Sequence, residues 1–525
     1  MVVCKAAKRT KNKKGSMKKL LYLSTSLLLL AGCGNKAGQG ELNGVLGRPY
    51  WAGYHPVGTV YLPHGSFNMG QSDEDVPFAH TTVTKTVSVH AFYMDETEIT
   101  NNEYRQFVFY VRDSIARRIL AEEDPETYLT PTYDDEGEER DESQWNLDWR
   151  QAIPYMVEGP GGKKSVDIFN PLLAEMLLPE NERYYGRRDF DVREFIFEYY
   201  WIDRKEAAMK GRPEIKPISN AEYEDDEEHR KKMKAPGDKM PFPRDPETPR
   251  GKDLDLGYRN IKGQNNAIRG HQDRSRFIIY ERINVYPDTL VWTHDFTYSA
   301  NDPHTNMYFW HPAYDDYPVV GVTWTQAQAF CVWRTHLLNN FRHAIPQEPY
   351  VQDFRLPSEA EWEYASRGGM NLNPYPWGGP YTRTMQGCFL ANFKPMRGRY
   401  VEDGGFYTVN VFSYAPNGYG LYNMSGNVAE WCNTAYDEST YEYMHDLNPE
   451  YIYDAIDHDP ISMKRKVIRG GSWKDIGYFA QTGTRSYEYQ DSAKSYVGFR
   501  CVQTFLGRGG KNPIEEVVPI DVKRR

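Results

Sequence analysis

"NGYGLYNMSGNVAEW", residues 417–431, is the stretch on which the fold turns. Asn423, Asn427 and Glu430 stand in it among glycines and aromatic residues. Two readings compete. The carboxamides and the carboxylate line a catalytic pocket, or they form a polar knot that satisfies an irregular, buried main chain. The surrounding sequence decides between them.

Three segments read as helix starts with capping boxes: Thr100-Asn101-Asn102-Glu103, Thr325-Gln326-Ala327-Gln328 and Ser358-Glu359-Ala360-Glu361. In each, the hydroxyl accepts from an amide of the first turn and the Glu or Gln reaches back to the cap. Apolar residues follow at helical spacing, with Tyr104, Phe107, Val108 and Val111 the clearest set. Strands are expected in "KTVSVHAFYMD", which alternates from Val87 to Met94, in "YPVVGVTW" (317–324), in "KVIRGGSW" (466–473) and in a closing "YVGFRCVQ" (496–503). Short strands, few helices and many Gly, Asn and Pro loops predict an α+β domain with sparse regular structure.

Between about residues 110 and 315 the character changes. "DDEGEERDE" (134–142) and "EYEDDEEHRKKMK" (222–234) are charge blocks, and residues 235–252 are Pro-rich. Aromatic islands at 191–203 and 276–296 break this region. It reads as an insertion into one domain spanning 55–505, and its islands read equally as contact surfaces or as added core. His271, His294, His304 and His311 fall in or near it and read as surface or satisfied histidines. "GPGGKKS" (159–165) lacks the upstream glycine of a phosphate-binding loop, and no GxSxG nucleophile elbow occurs.

The N-terminus reads as an export leader, residues 1–32, whose first 16 residues are extra. A basic n-region (Lys18, Lys19) and a short apolar run precede Leu30-Ala31-Gly32-Cys33, a bacterial lipobox. Cys33 is the expected lipidated residue, residues 33–54 a tether and 506–525 a tail. Several acyl chains on one cysteine give firm anchoring where a single chain is marginal. Without the leader, 55 basic residues face 73 acidic ones, a balance of −18, which argues against broad nucleic-acid binding. Cys331, Cys388, Cys432 and Cys501 remain. Spacing alone does not choose among their three pairings, and the lack of a CxxC pair argues against a zinc ribbon.

Eight runs in order now carry a resemblance. They are "GSFNMG" (65–70), "ETEITNNEYRQF" (96–107), "PVVGVTWTQAQAFCVW" (318–333), "RLPSEAEWEYASRGG" (355–369), "YPWGG" (375–379), the opening stretch, "RGGSW" (469–473) and "GFRC" (498–501). Together they resemble the formylglycine-generating-enzyme, or sulfatase-modifying-factor, domain. The resemblance implies a C-type-lectin-like α+β fold. It also implies an oxidase whose two cysteines bind copper as thiolates. Their positions here hold Asp475 and Ala480, neither a thiol. The expectation is therefore a protein without copper and without the oxidase reaction. A related thiol-histidine oxidase would need a three-His iron site, and the sequence shows no such cluster.

The same resemblance implies two structural calcium sites built from hard oxygen ligands. One would use Asn423, Gly426, Val428 and Glu430. The other would use Asn392, Phe393, Asp403 and Gly405. It also implies a Cys331–Cys501 disulfide, with Cys388 and Cys432 left open. A narrower resemblance rests on "NMGQSDEDVPFA" (68–79), "MDETEITNNEYRQFVFYVRDSIA" (94–116) and "VYPDTLVWTHDFTYS" (285–299). These runs are similar to the gliding-motility and type IX secretion lipoproteins of the PorK and GldK family, with GldJ a related group. That family implies a periplasmic ring under the outer membrane, a homo-oligomer assembled with a soluble PorN/GldN-type partner. The alternatives are a modifier of exported proteins with Asp475 as its acid or base, and a calcium-dependent glycan-binding module.

Overall fold

The computed structural model describes residues 54–71, 84–132, 145–153, 171–186, 189–202, 278–299, 301–343, 350–396, 401, 405–455 and 459–506. The leader, Cys33, most of the tether, the charge blocks, the Pro-rich segment, Asp403 and residues 507–525 of the tail lie outside them. In chain order the main strands are β1 (Thr59–Leu62), β2 (Gly65–Met69), β3 (Lys85–Val89), β4 (Phe92–Asp95), β5 (Ile196–Ile202), β6 (Ile278–Asn284), β7 (Phe354–Arg355), β8 (Ala429–Ala435), β9 (Arg465–Arg469), β10 (Ser486–Tyr489), β11 (Val497–Gly498) and β12 (Val502–Thr504). The main helices are α1 (Asn101–Glu123), α2 (Val291–Asp295), α3 (Trp324–His343) and α4 (Glu359–Ser366).

Two four-stranded sheets organise the body, in the orders β1-β4-β12-β7 and β10-β9-β8-β11. All their pairs are antiparallel except β8 with β11. The expected closing strand, 496–503, is two short strands, one in each sheet. The chain crosses between the sheets at Phe499-Arg500-Cys501. The expected strand from Val87 to Met94 also divides. Lys85–Val89 pairs with β2, and Phe92–Asp95 enters the first sheet with all four residues buried. Alternation alone could not reveal either break, because both halves keep an apolar face. Segment 317–324 forms no strand. Its main chain bonds scattered partners: Val319 N donates to Ile99 O, Gly321 N to Lys494 O, Trp324 N to Gln490 O, Asn101 N to Tyr317 O and Asp288 N to Gly321 O.

The capping boxes at Thr100 and Ser358 are present, each reciprocal. The middle one is shifted by two residues. Thr323, not Thr325, accepts from Gln326 N (3.2 Å), and Gln326 Oε1 accepts from Thr323 N (2.9 Å). Both Thr residues have a Gln three places on, so spacing left the choice open. Burial of Trp324, whose indole donates to Cys432 O at 2.9 Å, fixes the earlier start. Helices α1 and α3 meet through aromatic rings. Tyr104 stacks on Phe330 with centroids 5.7 Å apart, and Phe107 lies 5.2 Å from Trp333.

The aromatic islands of the insertion pair with each other as β5 and β6. Phe195 and Tyr199 are buried, and Phe197 packs edge-on against Phe107 at 5.2 Å. One face of this ladder is therefore added core, not contact surface; Tyr200 points outward. His294 and His311 are exposed as expected, and His271 lies outside the described residues. His304 differs. Its ring packs among Trp292, Tyr308 and Tyr407, burial lowers its pKa to about 4, and Nε2 has no partner among the described residues.

Candidate functional site

The opening stretch is a knot. Asn423 and Asn427 sit at φ 51° and 64°, a left-handed conformation that Asn tolerates better than most residues. That backbone turns both carboxamides toward Glu98, which is fully buried. Asn423 Nδ2 donates to Glu98 Oε2 (3.1 Å) and to Val411 O (2.9 Å). Asn427 Nδ2 donates to Glu98 Oε1 (2.9 Å), while its Oδ1 accepts from Val409 N (2.9 Å). Burial, reinforced by the nearby Glu430 and opposed by Arg500, pushes the Glu98 carboxyl up to about 8. Between the two asparagines, a Cβ at Gly426 would stand 2.3 Å from Asn392 O, at φ +77°. Only glycine fits there.

Glu430 closes the knot from the other side. Oε1 takes Arg500 Nη2 at 2.5 Å, and Oε2 takes Arg500 Nε and Trp362 Nε1, both at 2.7 Å. Arg500 also donates to Tyr422 O (2.9 Å) and Asp95 O (3.2 Å). One arginine at the crossing between the sheets therefore ties β4, the knot and β8 together. A second buried lattice lies beneath "RGGSW" and α4. Glu363 pairs with Arg367 (2.5 Å) and with Arg469, while Glu359 pairs with Arg485 (2.6 Å). Such fork-to-carboxylate contacts fix geometry more than they add stability.

The two positions that the resemblance assigns to the family's cysteines follow directly. Asp475 accepts from Ser472 Oγ at 2.6 Å, and its main chain bonds Ser472 O and Lys394 N. Burial raises its pKa, while Ser472 and Lys474 hold it down. Ala480 is buried, and its carbonyl accepts from Ser425 Oγ at 2.5 Å. Trp473 between them and the sheet stacks near Trp292 and Phe296, and Lys474 Nζ reaches Asp295 of α2 at 2.6 Å. Side chains at this place are engaged in packing and ion pairing.

The calcium expectations divide. At the first set, both Glu430 oxygens already face a guanidinium and an indole, and the Asn423 amide points its donors at Glu98. A cation ligated by Glu430 would stand against Arg500, so these residues do not fit the ion as arranged. The second set retains a cradle. Asn392 Oδ1 lies 2.7 Å from the Cβ position that Gly405 leaves empty, and Asn392 Nδ2 donates to Tyr407 O at 2.6 Å. Asp403 of that set lies outside the described residues. Among the described residues no group of three His, Cys, Asp or Glu converges for a metal. The Cys331 and Cys501 sulfurs are buried in contact at 3.5 Å as two thiols, not a bond. Cys432 is buried alone, and Cys388 is exposed.

Glu98 was missed in the sequence reading. Its signal was present in "ETEIT": an acid between Thr97 and Ile99, at the entry of a capped helix, is a poor surface residue where both neighbours belong to core-facing structure. No local pattern shows that its partners lie more than 300 residues away.

Several known proteins resemble this chain. The family model described as "Sulfatase-modifying factor enzyme 1-like domain" matches residues 53–158 and 255–505. A formylglycine-generating enzyme of Streptomyces coelicolor is 34% identical over 192 residues, covering 35% of this chain and 52% of that one. The "Inactive C-alpha-formylglycine-generating enzyme 2" of Bos taurus is 33% identical over 193 residues, covering 35% and 50%. The chain thus spans about half the length of these curated relatives. Among solved structures, PvdO from Pseudomonas aeruginosa superposes with a TM-score of 0.37 at 14% identity, covering 85% of this chain and 94% of that one.

Proposed function

The chain belongs to the sulfatase-modifying factor enzyme 1-like family, and from that membership we propose that it is a member without the oxidase reaction. Its role is that of a lipid-anchored scaffold in a type IX secretion ring. One observation carries the reading: Asp475 and Ala480 stand where the resemblance requires the copper-binding thiols. A carboxylate and a methyl cannot hold a soft cuprous ion. Both positions are also engaged structurally, Asp475 by Ser472 and Ala480 by Ser425. A relative whose name marks it as inactive supports the existence of members without the reaction.

Anchoring at Cys33 on the periplasmic face of the outer membrane rests on the lipobox. The ring and its PorN/GldN-type partner rest on the PorK and GldK resemblance of residues 68–79, 94–116 and 285–299. Identical copies form a ring only through a head-to-tail interface that closes. A C-type-lectin-like arrangement of loops, which the resemblance implies, would suit a body that presents broad irregular surfaces. A structural calcium at Asn392, Phe393, Asp403 and Gly405 belongs to this reading, and copper does not.

Gentle detergent extraction of the tagged protein from native envelopes tests it, with mass spectrometry and negative-stain imaging. The expected result is a large ring carrying a PorN-like protein in fixed ratio. A lone monomer under the same extraction overturns the ring. One observation favours a second reading: the raised carboxyl of Asp475, held by a serine, has the makings of a general acid. If Asp475→Asn abolishes secretion while the ring still assembles, that enzymatic reading replaces the scaffold.

A further inference from the structure

A cavity of about 440 Å³ opens where β8 ends and β9 begins. It lies at the opposite end of the β8–β9 ladder from Ser472 and Asp475, which follow the C-terminus of β9. Its size falls in the range of small-molecule sites, about 300–1,000 Å³. Tyr436, Tyr451 and Tyr453 form its walls, with Glu438, Ser462 and Arg465 among its polar groups.

Arg465 is the informative residue. Its guanidinium lies 4.4 Å over the Tyr487 ring, and it pairs with no carboxylate among the described residues. Its Nε is buried without an acceptor. Its neighbours differ: Lys464 pairs with Asp491, Lys466 with Asp454, and Arg469 with Glu363. With no carboxylate partner, the outer guanidinium nitrogens can take a planar anion. Asp437, one of the two acids in the wall, already accepts from Ser439 N (2.8 Å) and Oγ (2.7 Å).

The walls also state what the cavity does not read. Ala435 N donates to Tyr451 O and Tyr436 N to Arg465 O, so these main chains are bonded to each other. Neither of these two amides is free for a peptide to extend. Recognition falls to ring faces, hydroxyls and one cation. Tyr436 already packs against Tyr487 and Arg485, so Tyr451 and Tyr453 are the rings left for the C–H face of a pyranose, Ser462 and Glu438 suit its hydroxyl groups, and Arg465 suits a carboxylate.

The geometry points to a binding site for a carboxylated sugar in this cavity. The site uses none of the residues of the knot, none of the expected calcium ligands and neither Asp475 nor Ala480. It stands whether or not the chain forms a ring.

Titration of the purified full-length chain with glucuronic acid, followed by saturation-transfer NMR and calorimetry, tests it. Glucose and a glycyl-glutamate dipeptide serve as comparisons. Glucuronate is expected to bind, with glucose at least roughly tenfold weaker, the scale of one charge-assisted contact. Arg465→Met should weaken glucuronate by a similar factor. Ser462→Trp, at an exposed position on the rim, should block the cavity and abolish binding without disturbing the core; it decides the matter should Arg465→Met lower the melting temperature. No binding of glucuronate, binding that survives Ser462→Trp, or preference for the dipeptide each overturns the assignment.

Discussion

Glu98 shows how much a single buried side chain can demand of its surroundings. Its carboxyl titrates near 8 in the folded chain, against 4.5 in the unfolded one, because burial penalises the charge. A raised carboxyl favours the fold while protonated. That contribution is complete below about pH 4.5 and is lost as the pH climbs through 8. The stability difference between the wild type and Glu98→Gln should therefore be more favourable to the wild type at pH 5 than at pH 8.5. Urea unfolding of both proteins at the two pH values checks this, and a constant difference would refute it. Arg500 makes the opposite case, since its charge is permanent. Arg500→Met leaves Glu430 buried without its charge partner, and should cost roughly 3–5 kcal/mol. Denaturant midpoints measured at pH 7 read that loss directly.

At the scale of elements, the loop from residue 417 to 428 depends on close approach more than on regular structure. Gly426→Ala should cost about 3–5 kcal/mol, since the new methyl meets Asn392 O at 2.3 Å in a left-handed backbone. Gly420→Ala, also at positive φ but facing open space, should cost only about 1–2 kcal/mol. Comparing the two melting temperatures separates collision from backbone strain. The same contrast explains what sequence could deliver. Helices α1 and α4 were legible because caps and apolar spacing are local, written in Thr100 with Glu103 and Ser358 with Glu361. The breaks at His90 and between Gly498 and Val502 were not. There a strand-like pattern passes unbroken from one sheet to another, and only distant partners such as Asn448 or Asp95 decide where. The start of α3 failed for a third reason, two equivalent Thr–Gln spacings separated only by the burial of Trp324.

Across the whole molecule, the residues that hold the body together are far apart in sequence and close in space. Glu98 meets Asn423, Glu430 meets Arg500, and Cys331 of α3 meets Cys501 beside β12, 170 positions on. The thiol contact gives this scale its own test. Two buried sulfurs at 3.5 Å need little main-chain movement to join. Burial, together with the facing Cys331, raises the pKa of Cys501 well above its ordinary value, so its thiolate is scarce and uncatalysed oxidation should be slow. An oxidising compartment with an exchange catalyst supplies what the site lacks. Closing so long a loop restricts the unfolded chain by up to about 5 kcal/mol in the chain-entropy account. Protein prepared under oxidising conditions should therefore carry a Cys331–Cys501 linked peptide by mass spectrometry and melt higher than the reduced form. Cys331→Ser should remove both the linked peptide and the difference in melting temperature. A linked peptide joining Cys388 or Cys432 instead would refute the pairing. Equal melting temperatures with the Cys331–Cys501 bond formed would show that Arg500 and the knot already hold the crossing as firmly as a covalent tie.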